Sequence, residues 1–171
     1  MNADELRTLQ APLKNRYRAE PDAAKVTLRA QGSLDSASLA CKVETGRAIA
    51  AAGLHPATGG TGLELCSGDM LLEALVACAG VTLKAVATAI GVSLRSGRVS
   101  AEGDIDFRGT LGVAKDAPVG LADIRLSFAL DTDAPQEQLD TLLKLTERYC
   151  VVLQTLRRPA AITVTLARGA A

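Results

Sequence analysis

The sequence predicts an α+β fold in one domain spanning residues 1–171, with residues 1–24 as an N-terminal helical extension. Three observations carry that expectation. Segments of period two come in groups, separated by segments of period three to four, so there is no strand–helix–strand alternation of the parallel-sheet kind. A long apolar helical stretch stands in the middle of the chain. No linker or internal repeat divides the 171 residues, a length that suits a single domain of roughly 100–200 residues.

The elements follow in order. Residues 4 to 18 carry Leu6, Leu9, Leu13 and Tyr17 at helical spacing, with Pro12 placed to break or restart the helix. Val26, Leu28 and Ala30 alternate with polar residues as a half-buried strand does, and Leu39, Cys41 and Val43 do the same after "QGSLDS", a turn that makes the two a hairpin. "GRAIAAAG" reads as a third strand leading into the Pro- and Gly-rich loop "LHPATGGTGLEL". From Ser67 the pattern is helical: Ser67 suits an N-cap, Asp69 suits the positive end of the dipole, and Gly91 suits a left-handed stop. Only Asp69, Glu73 and Lys84 are charged along it, so the helix is expected to be surrounded by protein. "RVSAEGDIDF" alternates cleanly, with Val99, Ala101, Gly103, Ile105 and Phe107 on one face. After the long connection "GTLGVAKDAPVG", "ADIRLSFAL" is a further strand with Ile124, Leu126, Phe128 and Leu130 inward. Asp133 and Pro135 open a second helix, whose apolar face runs from Leu139 through Cys150 to Leu156, and "AITVTLA" closes the chain as a strand.

Composition narrows the function. Nineteen basic residues balance nineteen acidic ones, and no basic stripe is interleaved with aromatics, which argues against nucleic-acid binding. The N-terminus is charged from the start and lacks the apolar core of a secretory signal. The longest charge-free apolar stretch, Ala74 to Leu83, is far short of the ~20 residues of a membrane span. The expected address is the cytoplasm, without membrane attachment, where thiols are kept reduced and a disulfide is catalytic or redox-sensing rather than structural.

Four cysteines stand at 41, 66, 78 and 150, with no CxxC pair and one histidine, His55, so no Cys/His zinc site of familiar spacing is available. Cys41 lies on the inward face of a strand pattern, where a free thiol packs as a small hydrophobe. Cys66 precedes the central helix, where the helix dipole lowers a thiol pKa, although a loop cysteine without a role fits equally. Cys78 and Cys150 sit within apolar helical patterns, where burial raises a thiol pKa and leaves it inert unless a cation approaches. Pattern alone leaves packing and chemistry both open for this pair.

The order of motifs adds to this. "GLHPATGGTGLELCSGDMLLEALVACAGVTLKAVATAIG" resembles the central segment of the OsmC/Ohr family, in which a Gly-rich loop enters a long helix with a cysteine in an A-C-x-x-x-T-L-like setting, here Ala77, Cys78, Thr82 and Leu83. "LTERYCVVLQTLRRPAAITVTLA" resembles that family's second segment. The resemblance implies antiparallel sheets wrapped around long central helices in an intertwined homodimer, with sites at the subunit interface. It also implies reduction of hydroperoxides without a metal or cofactor. Cys78 would be the attacking thiol and Cys150 the resolving one, and a dithiol reductant, lipoylated or thioredoxin-like, would restore the pair.

The chain departs from the family pattern in three places. The family carboxylate that follows a proline falls on Gly68, with Ser67 for the proline, which leaves Asp69 and Glu73 as the nearest substitutes. The second cysteine is followed by Val151 where proline is common. The loop before the central helix carries His55 and no arginine, so Arg47 and then Arg29 are the candidate activating cations, each also readable as a surface charge. These departures keep a second function in play: an OsmC-like module that senses redox state or binds an apolar ligand without efficient turnover.

Overall fold

The computed structural model describes residues 3–34, 41–43, 53–63 and 66–166 of the chain. Helix α1 (Ala3–Ala19) continues through Pro12 rather than breaking there. A single 3-10 turn, Pro21–Ala24, leads into strand β1 (Lys25–Leu34). β1 is longer than its alternation suggests. Gln31 to Ser33 pair with Ser100 to Arg98 in a ladder, so they belong to the strand and not to a turn. Residues 35–40, between the two strands, lie outside the described residues. Strand β2 (Cys41–Val43) returns antiparallel, with Leu34 opposite Cys41 and Gly32 opposite Val43, so the expected hairpin is present. The strand expected over "GRAIAAAG", and Arg47 within it, lie outside the described residues.

Strands β3 (Ser96–Asp106) and β4 (Ala122–Asp131) complete a four-stranded antiparallel sheet of order β2-β1-β3-β4. The inner face of β3 is the expected one: Val99, Ala101, Gly103 and Ile105 are buried. Phe107 is buried as well, but it opens a one-turn helix, α3 (Phe107–Thr110), because the Asp106 carboxylate accepts the Arg108 N–H at 3.1 Å and turns the chain. The outer face is polar and cross-linked, with Thr27 Oγ1 donating to Asp104 at 2.6 Å and Arg125 donating to Asp104 at 2.9 Å.

Helix α2 (Ser67–Ala89) packs its face of Leu72, Leu75, Val76, Ala79 and Leu83 against the sheet. Each fully buried leucine there contributes about 1.5–3 kcal/mol. The N-cap is Cys66, one residue before the expected Ser67: its backbone is extended (φ −75°, ψ 134°) while its carbonyl already accepts the Met70 N–H at 3.1 Å. At the other end Gly91 is left-handed (φ 75°), as expected. The Val92 N–H reaches the Ala87 carbonyl at 2.9 Å and the Gly91 N–H reaches Thr88 at 3.4 Å, a Schellman stop. By length and composition α2 could cross a membrane. In this fold it lies against β1 and β3 and against two later helices, α4 (Gln136–Tyr149) and α5 (Val151–Arg157).

Two expectations are corrected here. α2 is not enclosed: Leu71, Ala74, Val81, Ala85 and Thr88 are exposed, at alternating steps of three and four with half-buried Cys78 among them. The closing strand is absent as a strand. Residues 159–166 have no regular structure, and Ile162, Val164 and Leu166 are 86%, 89% and 93% exposed.

The helix expected from Asp133 to Leu156 is also two helices. α4 (Gln136–Tyr149) ends where Cys150 leaves helical geometry (φ −71°, ψ 106°), and α5 (Val151–Arg157) starts at the next residue. Two β-branched residues, Val151 and Val152, follow at once and lower the preference for uninterrupted helix. Cys150 is therefore a joint between helices and not a mid-helix residue.

Candidate active site

Two thiols define the site. Cys78 stands in the middle of α2, and Cys150 is carried to it by the joint between α4 and α5, both of which pack on α2. Cys150 is 0% exposed, whereas Cys78 is half-buried on the exposed stripe of α2. The Cys150 thiol, the Thr82 hydroxyl and the Val152 and Val151 amides are the groups that favour the Cys78 thiolate. Cys66, Cys78 and Cys150 are all free thiols.

The surroundings move the two thiols apart. Desolvation is the largest influence on Cys78 and raises its pKa, but the Val152 amide, the Cys150 thiol, the Thr82 hydroxyl and the Val151 amide together outweigh it, and the net direction is down. Cys150 is pushed up to about 11, first by burial and then by the neighbouring Cys78, with the Leu153 and Val152 amides opposing. At neutral pH one sulfur is the better thiolate and its partner stays protonated.

The groups that act most strongly on Cys78 are uncharged donors, two of them backbone amides at the start of α5. Reading residue types along the sequence passes over such amides, because any residue supplies them. Thr82 was legible, since it lies one turn beyond Cys78 at the i,i+4 spacing that places side chains together.

The other candidates fall elsewhere. Asp69 precedes Cys78 by nine positions, roughly two and a half helical turns, which puts it on the opposite side of α2. There burial raises its carboxyl pKa and His55 opposes the rise. Glu73, one turn on, is raised by burial and then by Asp69. His55 itself belongs to the loop: its Nδ1 accepts the Ala57 N–H at 3.0 Å, and its ring stacks on Phe107 with centroids 4.9 Å apart. That loop is held from outside by α1, where the Tyr17 hydroxyl donates to the Ala57 carbonyl at 2.5 Å. Gly60 is needed within it, since a Cβ there would stand 1.6 Å from the Leu54 carbonyl oxygen. Asp69, Glu73 and His55 thus form a group of their own, apart from the thiols. Arg29 lies in β1 opposite Glu102, and Cys41 lies in β2 opposite Leu34.

A groove of about 910 Å³ opens between β4 and the α4–α5 pair, with Leu83, Phe128, Leu139, Leu153 and Leu156 in its lining. Among the described residues no cluster of three or more His, Cys, Asp or Glu could hold a metal ion.

The chain belongs to the OsmC-like protein family, whose model matches residues 60–165. Its fold is similar to that of an OsmC-like hydroperoxide resistance protein from Jannaschia sp. CCS1, at a TM-score of 0.61 and 17% identity, over 85% of this chain and 95% of that one. No curated protein matches the sequence.

Proposed function

We propose that this protein is a thiol-dependent peroxidase that reduces organic hydroperoxides through Cys78 and Cys150. The observation that carries the reading is the contact between a thiol of lowered pKa and a buried thiol held protonated. The Cys78 thiolate attacks the distal oxygen of the hydroperoxide. The O–O bond breaks, an S–O bond forms, and the alkoxide leaves as the alcohol after taking a proton, so Cys78 becomes a sulfenic acid. Cys150 then attacks that sulfur, forming the S–S bond and releasing water. A dithiol reductant, lipoylated or thioredoxin-like, returns both thiols by exchange and is itself oxidised. No metal or cofactor enters these steps, and the reducing cytoplasm is the compartment that suits them.

The working unit in this reading is a homodimer. It is supported by the stripe Leu71, Ala74, Cys78, Val81, Ala85, whose steps of three and four are those of a helix–helix seam, and by the exposed apolar residues of 161–166. Arg47 and Arg29 are the guanidinium candidates for further support of the thiolate, and Asp69, Glu73 and His55 serve the loop before α2 rather than the sulfur.

The test is peroxidase turnover with an organic hydroperoxide and a dithiol reductant, on wild type, Cys78→Ser and Cys150→Ser. Turnover is expected to be lost in Cys78→Ser and to fail after one equivalent, or to need a small external thiol, in Cys150→Ser. Turnover unchanged by Cys78→Ser overturns the reading. The apolar groove favours a second reading, an apolar-ligand-binding or redox-sensing protein without efficient turnover. Slow, stoichiometric oxidation of Cys78 by the same hydroperoxide would select it.

A further inference from the structure

The break at Cys150 leaves backbone groups to be satisfied, and one side chain takes up that task. In an uninterrupted helix the Val151 N–H would bond to the Glu147 carbonyl, four residues earlier. Cys150 has ψ 106°, so α4 ends there and the carbonyls of its last turn lose their intrahelical donors. The Thr146 carbonyl keeps a donor, the Cys150 N–H at 2.9 Å. The Glu147 carbonyl takes one from across the joint: Nε2 of Gln154 donates to it at 2.7 Å, between two half-buried residues. A carbonyl only accepts, so the side-chain amide must present its nitrogen there.

Gln154 holds the joint through its backbone as well. Its N–H bonds to the Cys150 carbonyl at 2.9 Å and closes the first turn of α5. Cys150 is thus held on both sides, its N–H by α4 and its carbonyl by the residue that reaches back to α4. A second tie, from Arg157 to the Glu147 carboxylate at 2.8 Å, crosses the same joint. The Arg157 side chain is 53% exposed, however, and an exposed ion pair is screened by water and salt. The half-buried hydrogen bond is the stronger restraint. What the joint carries is the buried Cys150 thiol, in the core cluster against which Cys78 packs.

We propose that Gln154 is a positioning residue: by bonding to the Glu147 carbonyl it fixes α5 against α4 and holds the Cys150 thiol where it closes a disulfide with Cys78. The inference rests on Cys78 and Cys150 being the attacking and resolving thiols of the proposed peroxidase. Holding two reactants in place favours the unimolecular step between them, so the effect falls on closure and not on the first attack.

The experiment treats full-length reduced protein with one equivalent of cumene hydroperoxide or, separately, of diamide, a thiol oxidant that needs no peroxidase. With hydroperoxide, the Cys150 sulfur displaces the sulfenic oxygen of Cys78 as water. With diamide, it breaks the S–N bond of the Cys78 adduct and the reduced hydrazine leaves with the proton. Acid quench and peptide mass spectrometry follow loss of the Cys78 thiol, the first step, and appearance of the Cys78–Cys150 linked peptide, closure. Wild type is compared with Gln154→Met, which keeps the length and removes the donor, and Gln154→Lys, which supplies a different donor. Gln154→Met is expected to slow closure about fivefold, the worth of one hydrogen bond, with the first step within about twofold of wild type. Gln154→Lys is expected to bring closure back to within about twofold of wild type. Unchanged closure in Gln154→Met overturns the proposal. So does a first step slowed as much as closure, or equal slowing in Gln154→Lys, which would mark a packing role. Should Gln154→Met fail to fold, Gln154→Ala against Gln154→Lys makes the same comparison. A wild type that closes with diamide but not with hydroperoxide, with closure slowed in Gln154→Met, supports the Gln154 assignment and overturns the peroxidase reading alone. Closure with neither reagent overturns both.

Discussion

Cys78 and Cys150 show how two identical side chains in contact come to differ. Burial alone would make both thiols weak acids. At Cys78 the donors of Thr82, Val151, Val152 and Cys150 reverse that, while at Cys150 burial and the adjacent sulfur act in the same direction and carry it to about 11. The sign for reactivity follows. Alkylation needs thiolate, so Cys78 is expected to react first at pH 7–8 and to slow as pH falls through its depressed value. Cys150 is expected to stay unreacted in the native protein until pH approaches 11. Peptide-resolved alkylation of the reduced protein checks both. The cysteines were visible as candidates in the sequence, but their difference was not, because it comes from backbone amides and an inter-helix joint. Asp69, by contrast, could have been set aside from the sequence alone, since nine positions along a helix point a side chain the other way.

Among the elements, those that depend on their own residues were the most legible. β3 was read correctly because its alternation is local and one face packs on α2 while the other stays polar. The end of α2 was legible for a similar reason: Gly91 adopts φ 75° with nothing around it for a Cβ to strike. Gly91→Ala therefore tests backbone strain without steric crowding. It is expected to destabilise the fold by about 1–2 kcal/mol and to lower Tm by about 2–8 °C in a protein of this size, as measured by circular dichroism. The break at Cys150 was not legible. Leu142, Thr146, Tyr149, Cys150 and Leu153 keep helical spacing straight through it, so periodicity has no way to register a single residue whose ψ of 106° restarts the helix. The extent of β1 was hidden likewise, since "QGS" is turn chemistry by composition and ladder by partner.

At the scale of the whole molecule, the misreadings share one cause. A helix apolar on all sides was taken to be enclosed, and an alternating apolar tail was taken to be a strand of the sheet, because hydrophobic patterning says that a face is to be covered and not by what. In the described chain those faces are exposed: Leu71, Ala74, Val81 and Ala85 on α2, and Ile162, Val164 and Leu166 near the C-terminus. In the proposed dimer a second copy covers the α2 stripe, and Val81→Glu is then the informative substitution, since it places a charge on that stripe without touching the core. Sedimentation analysis is expected to show a dimer for wild type and a shift toward monomer for Val81→Glu. A monomeric wild type would remove the dimer from the proposed function and leave the thiol chemistry to be tested alone.

The helix joint at Cys150 has a consequence for the unfolded chain. Cys78 and Cys150 stand 72 positions apart, with β3, β4 and α4 between them. A covalent bond between them closes a loop that takes in the middle of the protein, and the unfolded ensemble loses the configurations in which those ends separate. For a loop of that length the chain-entropy relation gives about 4 kcal/mol in favour of the folded state. Oxidised protein is therefore expected to melt higher than reduced protein, and Cys150→Ala to abolish the difference. Calorimetry after peroxide treatment would thus report chain closure without any measurement of turnover.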